Sequence, residues 1–457
     1  MPENRREIPA RLTLTPSPAL VTPIRSPIMF KALLSTWTLF TGIAMIMLGN
    51  GLQGSLLGVR ASMEGFSTTT TGFIMTGYFV GFLGGSVLVP RWVRNVGHIR
   101  VFAALASLAS VAILAHAVFI NATLWTLMRL MTGFCYAGLY IVAESWLNES
   151  ASNENRGQLL SLYMIVTYGA LALGQLLLNL SPPDSFVLFV VTSALISLAL
   201  VPMSLSIISA PPLPAPRFIS PLELYRASPL GVVGATGVGM ANGAWLGMGA
   251  VYATQLGLGV NQVALFLMSN YIGAVLLQWP IGWLSDRFDR RWVLTLVAFV
   301  AAGCALAALV AVRSGNPWLL YLSVGLLGGT MSPLYSLAIA HTNDFLDRDQ
   351  MVAASGTLVM VGGVGASFGP TVASTAMNTL GTDGFFYGLA TILTGIGTFA
   401  LYRMTRRSAM PLEEQGHYLP DTPYSSTYAT EYVAEEAVEW SEQQAEAAAD
   451  EAASGTA

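Results

Sequence analysis

The sequence predicts an all-α polytopic membrane protein, with twelve transmembrane helices in two pseudo-symmetric six-helix bundles. Three observations lead there. Of 457 residues, 54% are hydrophobic and 10% charged, against about 25% charged in an ordinary soluble domain. Charges, prolines and polar clusters cut the chain into twelve apolar runs, each near the roughly 20 residues needed to cross a bilayer. A proline-rich break separates the first six runs from the last six. With a mean hydropathy of +0.60, a soluble domain could not solvate its surface. A soluble enzyme, a disordered protein and a nucleic-acid binder are therefore disfavoured. Cys135 and Cys304 both lie within apolar runs, so no disulfide framework is indicated.

The runs fall near 33–57, 67–89, 100–119, 122–146, 158–180, 185–207, 229–254, 262–284, 292–312, 317–341, 351–377 and 384–403. This implies a tail at 1–31, a bundle at 32–207, a linker at 208–228, a bundle at 229–404 and a tail at 405–457. The linker opens with Pro211, Pro212, Pro214 and Pro216. The first 30 residues are proline-rich and show no apolar core before a small-residue cleavage site, so they do not read as a signal peptide. Met29 is an alternative start.

Charge gives orientation. With both termini cytoplasmic, eighteen Lys and Arg residues fall on inner segments and two, Arg60 and Arg313, on outer loops. That asymmetry follows the positive-inside rule and requires an even number of spans. Eleven acids and no Lys or Arg follow residue 410, leaving a body with 21 bases and 14 acids. The tail is rich in Ala, Glu, Ser and Thr and lacks a strong apolar stripe. It is expected to be solvated and disordered.

An internal repeat supports two halves. At an offset of 195 residues, Leu139, Tyr140, Ala143 and Asn148 of the fourth run match Leu334, Tyr335, Ala338 and Asn343 of the tenth. Glu149 matches Asp344. Between the eighth and ninth runs lies Gly282-Trp-Leu-Ser-Asp286-Arg287-Phe-Asp289-Arg290-Arg291. With these residues the sequence resembles the major facilitator superfamily, whose loop signature reads G-x-L-x-D-R-x-G-R-R/K. Asp289 stands where the family has its second glycine. In the equivalent first-half loop, Pro90 and Arg94 replace the glycine and the aspartate, while Gly97 is kept. Arg129-Leu-Met-Thr-Gly133 resembles the family's R-x-x-x-G on the fourth helix. Glu149 and Arg156 match the acid and arginine that close that helix and open the next. Val142-Ala-Glu144-Ser145, Asn155-Arg156-Gly157-Gln158 and Gln278-Trp-Pro-Ile-Gly282 look like the YcaD-like bacterial branch. The likeness runs from about residue 30 to 405.

The resemblance implies a secondary transporter that moves a small-molecule substrate by alternating access. Gly282, Asp286, Arg287, Arg290, Arg291, Glu149 and Arg156 would form a gating network at the cytoplasmic face. It also implies a cavity lined by the first, fourth, seventh and tenth helices, which favours Asn50, Gln53, Arg129 and Asn242, with Trp245 one turn from Asn242. A charge inside a span is costly and points to function. Arg129 either faces the cavity and attracts anionic groups, or pairs structurally with carbonyls. Glu144 either couples protons or sits at the membrane face beside a base such as Arg156. Fifteen residues separate them, about 22 Å along a helix. Gln175, Asn270, Gln278 and the tyrosines 140, 252, 271 and 335 are further polar candidates, each more readily explained by packing. His116 and His341 read as packed or interfacial, and four scattered histidines suggest no metal site. No G-x4-G-K-S/T pattern or other cofactor motif is present. No acid–base cluster or metal-ligand set suggests an enzyme. A drug-efflux antiporter is the nearest alternative, but the glycine–proline pair expected on the fifth helix is missing. A sensor built on a transporter fold is the alternative of another class.

Overall fold

The computed structural model describes residues 26–149, 156–205 and 219–407, and beyond these 410–412, 415–416, 418–421, 426, 430, 433–435 and 438. The side chains of 26–36, 149, 156–157 and 348–349 are not described, and the expected N-terminal tail falls outside the described residues up to position 25.

In lipid every backbone polar group must be satisfied within the protein, which leaves helices for these apolar runs. The helices are α1 Ser26–Met63, α2 Thr68–Val96, α3 His98–Val118, α4 Ala122–Glu149, α5 Arg156–Leu176 and α6 Val187–Ser204. After a short linker helix, Pro221–Ala227, follow α7 Pro229–Gln255, α8 Val260–Arg287, α9 Arg290–Ser314, α10 Pro317–Asn343, α11 Arg348–Leu380 and α12 Gly384–Met404. Eleven of the twelve are long and apolar enough to cross a membrane. The twelfth, α7, has the length, but seven glycines and Asn242 dilute its hydropathy. The sequence-derived spans match these helices in number and order, and most helices extend several residues further into the polar ends.

The pairing of helices repeats. In the first half α1 packs on α5, α2 on α4, and α3 on α6; in the second half α7 packs on α11, α8 on α10, and α9 on α12. Each pair reappears six helices later, as two parallel repeats require. Small residues make the closest pairs possible. Gly77, Gly81 and Gly85 of α2 lie against the backbone carbonyls of Thr126, Leu130 and Phe134 on α4. Gly239 and Gly243 of α7 meet the carbonyls of Gly362 and Ala366 on α11, and Gly273 of α8 meets that of Gly325 on α10. A side chain at any of these positions would push two backbones apart.

One end of the bundle carries Arg91, Arg94, Arg287, Arg290 and Arg403; we call it the basic end. At the opposite end the halves touch directly. Thr76 and Thr371 share a hydroxyl–hydroxyl bond of 2.9 Å, and Gln255 Nε2 donates to Thr68 Oγ1 at 2.8 Å. Gly58 abuts Ala250, and Gly247 abuts Pro370 and Met75.

From position 415 on, the described residues of the C-terminal tail are buried or half-buried, where a solvated tail was expected, while Pro411 and Leu412 are exposed. Tyr418, Asp421, Ser426, Thr430, Val433 and Ala434 are all buried. These residues sit in a vestibule between the halves at the basic end, where Ser426 bonds Glu144 of the first half and Tyr418 and Asp421 bond Asp286 and Ser336 of the second.

Gly81 and Gly84 separate packing from propensity. Gly81 has no room for a Cβ beside the Leu130 backbone, while Gly84 faces open space. Gly81→Ala should lower stability by about 1–3 kcal/mol, the usual range for overpacking. Gly84→Ala should leave it unchanged or raise it by up to about 1 kcal/mol. Thermal unfolding in detergent measures both, and equal shifts would count against the close α2–α4 contact.

Candidate functional site: a central cavity and a charged gate

Two adjoining cavities lie between the halves, of about 70 and 40 Å³. Asn50, Tyr78, Phe79 and Leu246 line both. The larger adds Tyr140, Asn242 and Tyr335; the smaller adds Arg129, Gln175, Trp245 and Tyr271. Tyr140 and Tyr335 are the two copies of the repeated tyrosine, so the repeat delivers one phenol from each half.

Arg129 is the charge at the centre. It is 3% exposed. Gly77 on the facing helix lacks a side chain, which leaves room 3.5 Å from the Arg129 Cβ. The guanidinium lies over Tyr78, 4.4 Å from the ring centroid. Its Nε and Nη1 are buried without a hydrogen-bond partner, and no ion pair is found for it among the described residues. A buried, unneutralised cation is costly in isolation. The arrangement suits an anionic or strongly hydrogen-bonding guest, which would supply what the protein withholds.

Asn50 links three helices: its Nδ2 donates to the Tyr140 hydroxyl at 2.6 Å, and its Oδ1 accepts from the Tyr78 hydroxyl at 3.4 Å. Asn242 donates to the Val238 carbonyl at 3.0 Å on its own helix. Trp245 packs on Phe266 and Phe385, at 5.3 and 5.9 Å between centroids. Gln53 departs from expectation: it is buried, lines neither cavity, and neither amide atom has a partner. Three residues turn a helix through about 300°, so Gln53 points roughly 60° away from Asn50.

Glu144 lies nearer the basic end of α4. It is buried, and the Tyr163 hydroxyl donates to its Oε1. Its Oε2 accepts from the Ser426 amide at 3.0 Å and from the Ser426 hydroxyl. Its partners are thus a helix-5 phenol and the C-terminal segment. The backbones of Glu149 and Arg156 close α4 and open α5; their side chains fall outside the described residues.

The loop between α8 and α9 forms a network with one centre. Arg290 is 1% exposed. It donates to Asp344 Oδ1 at 2.5 Å, the Ser285 hydroxyl at 3.0 Å, the Ala340 carbonyl at 3.1 Å and the Gly416 carbonyl at 2.5 Å. Asp286 lies 3.7 Å from it and accepts from the Tyr418 amide at 2.7 Å. Burial raises the Asp344 pKa, and Arg290 opposes that only in part. Asp289, where the motif has a glycine, caps α9 by accepting from the Arg291 amide at 3.0 Å and pairs with Arg291 Nη2 at 2.8 Å. Partial burial acts to raise its pKa, but the bonds and charge of Arg291 outweigh that and hold it below the usual range. Arg287 departs from expectation: it stacks on Trp283 at 4.2 Å. Gly282 abuts the Tyr418 ring, where a Cβ would not fit.

The residues that sequence reasoning missed are Tyr78, Tyr163 and Ser336. Tyr78 follows a glycine of the α2 packing stripe, which could have flagged it as facing α4. Tyr163 and Ser336 carried no signal, because their partners belong to other helices or to the tail.

Twelve long helices in two matching sets of six, around a central cavity whose one cation among the described residues is Arg129, have the form of a membrane transporter. The chain belongs to the Major Facilitator Superfamily, whose profile matches residues 39–268 and 230–425. It is a multi-pass membrane protein and not an enzyme. It is similar to the uncharacterized MFS-type transporter YcaD of Escherichia fergusonii, at 25% identity over 376 residues, covering 82% of this chain and 97% of that protein. Among solved structures it is similar to the nucleoside transporter NupG, with a TM-score of 0.67 at 12% identity, covering 82% of this chain and 98% of that one. It is also similar to the Escherichia coli fucose:proton symporter FucP, with a TM-score of 0.52 at 15% identity, covering 81% and 99%.

The charge network at the basic end predicts unequal roles for its arginines. Arg290→Ala leaves Asp344 buried without its cation and should cost about 3–5 kcal/mol. Arg287→Ala loses a stacking contact at the rim, worth about 0.5–1 kcal/mol. Apparent melting temperatures in detergent should rank wild type, Arg287→Ala, Arg290→Ala in descending order. The reverse order would contradict the network as drawn.

Proposed function

We propose that this protein is a secondary active transporter that moves a small organic solute with an anionic group across a bacterial inner membrane. Transport proceeds by alternating access between the two six-helix halves, and both termini are cytoplasmic. The observation that carries this reading is Arg129: a buried guanidinium at the wall of a cavity between the halves, with two nitrogens unpartnered. Asn50, Asn242 and the tyrosines supply neutral hydrogen-bonding groups around it, and Trp245 supplies an apolar wall. The structural neighbours, a nucleoside transporter and a fucose:proton symporter, support a solute of small polar type.

The cavities are too small for a whole solute, since small-molecule sites usually span about 300–1,000 Å³. The structure is therefore read as a contracted state that expands around its cargo. Glu144, a buried carboxylate within a span, is the candidate to couple a proton. Its distance from Arg129 along α4 makes any coupling indirect, through movement of the helix. The missing glycine–proline pair on α5 argues against the efflux-antiporter alternative.

A thermal-shift screen of purified protein against a metabolite library tests the substrate site. A ligand at 100 times its Kd stabilises the folded state by about 2.7 kcal/mol. Anionic solutes should dominate the hits, and their shifts should vanish in Arg129→Ala. Hits that persist unchanged in that variant would make Arg129 structural. In proteoliposomes, an imposed pH gradient should drive accumulation of the identified solute. Glu144→Gln should abolish accumulation while sparing counterflow; proton-driven accumulation in Glu144→Gln would remove Glu144 from coupling.

A further inference from the structure

The vestibule at the basic end contains a binding arrangement that transport chemistry does not call for. Three carboxylates from three helices, Glu144, Asp286 and Asp344, each accept a hydrogen bond from a backbone amide of the C-terminal segment. The donors are Ser426 at 3.0 Å, Tyr418 at 2.7 Å and Gly416 at 3.1 Å. Ser336 meets both backbone groups of one residue: its hydroxyl accepts from the Asp421 amide at 2.9 Å and bonds the Asp421 carbonyl at 3.1 Å. The Gly416 carbonyl completes the Arg290 shell. These contacts engage main chain, as a peptide-binding groove does, and they engage both halves: Glu144 belongs to the first, the others to the second.

The segment is matched to this site. Residues 415–430 read QGHYLPDTPYSSTYAT, with one acid among sixteen residues. The tail's other acids lie before it, at Glu413 and Glu414, and after it, from Glu431 onward. A site lined by three carboxylates would repel a uniformly acidic peptide; it accepts this neutral stretch. The one acid, Asp421, is internally bonded by the Thr430 hydroxyl at 2.8 Å. The Tyr418 ring fills the space that Gly282 leaves open. Beside the segment a groove of about 520 Å³ remains between α5 and α8, walled in part by Tyr418, Leu419 and Pro420.

We propose that the vestibule is a binding site for the chain's own C-terminal tail, held through Gly416, Tyr418, Asp421 and Ser426, and that the tail bound there acts as an intramolecular plug. It closes the route between the central cavity and the basic end. Because it bonds to both halves, it also opposes the approach of the halves at that end, which alternating access requires. Cargo that uses this route competes with the plug, so release of the tail sets how much of the population can transport.

The test needs no substrate and so does not depend on the transport reading. Ser86 lines the larger cavity, and among the described residues its hydroxyl bonds within its own helix, to the Phe82 carbonyl. Ser86→Cys is placed in a background with Cys135→Ala and Cys304→Ala, and its labelling by a polar maleimide is timed in detergent. Removing residues 409–457 should speed labelling about tenfold, the change expected when a state populated at about 10% becomes the rule. In the full chain, Ser426→Asp sets a second carboxylate against Glu144 and should speed labelling similarly. A synthetic peptide of residues 411–440 should slow the truncated protein again at about 1 mM, the effective concentration a short tether supplies. Equal rates with and without the tail would overturn the plug. So would an unchanged rate in Ser426→Asp, or a peptide that fails to slow the truncated protein.

Discussion

The structure depends on close contact between helices that lipid does nothing to drive together. Lipid tails are as apolar as the helix faces, so burial gives no preference for protein over bilayer. What remains is packing, and packing here means glycine against carbonyl: Gly81 on Leu130, Gly133 on Tyr78, Gly243 on Ala366, Gly273 on Gly325. These contacts also place the polar residues. Asn50 precedes Gly51, which lies against the Leu171 carbonyl; Tyr78 follows Gly77; Asn242 precedes Gly243. Each of these three cavity residues stands next to a glycine that lies against the backbone of a neighbouring helix.

Much of the fold was legible because the physical signal was periodic and strong. Twelve apolar runs, the proline break and the bias of arginines each report on the bilayer. The 195-residue repeat pairs Tyr140 with Tyr335, and both line one cavity, although the sequence reading favoured packing for each. Arg129 stood out because a charge in a span is rare. Finer placement was less legible. Asn50 and Gln53 are equally polar and one turn apart, yet only Asn50 lines a cavity; a 60° difference on a helix decides that, and no residue type records it. The loop motif named four charged residues alike, whereas geometry gives Arg290 the centre, pairs Arg291 with Asp289 and leaves Arg287 on Trp283. The departure of Asp289 from the motif has a physical consequence: the carboxylate caps α9, a role a glycine side chain cannot fill.

The buried part of the tail was illegible for a different reason. Composition averages over the whole segment, and its acids and alanines suggest solvation. The residues that bind are a neutral island within it, and what binds them is backbone. Main-chain donors are present in any sequence, so their use shows only when the receiving carboxylates are seen together. Glu144, Asp286 and Asp344 lie on or beside three different helices, and no spacing in the chain links them.

The two halves are alike in packing but not in how their basic ends are held. The second half has a complete loop: Arg290 is held by Asp344 and Ser285, with Asp286 nearby. In the first half the corresponding loop has Pro90 and Arg94 where the glycine and aspartate would stand, so the same network cannot be built there. What the first half offers instead is Glu144, held by Tyr163 and by Ser426 of the tail. The tail runs from the half with the full network to the half without one. It bonds to Arg290 and Asp344 at one end and to Glu144 at the other. A link that the first half lost from its loop is thereby remade through a segment that can leave. A loop network breaks only when helices move, whereas a tethered peptide can be displaced while they stand still, so the closure of this end answers to binding as well as to conformation.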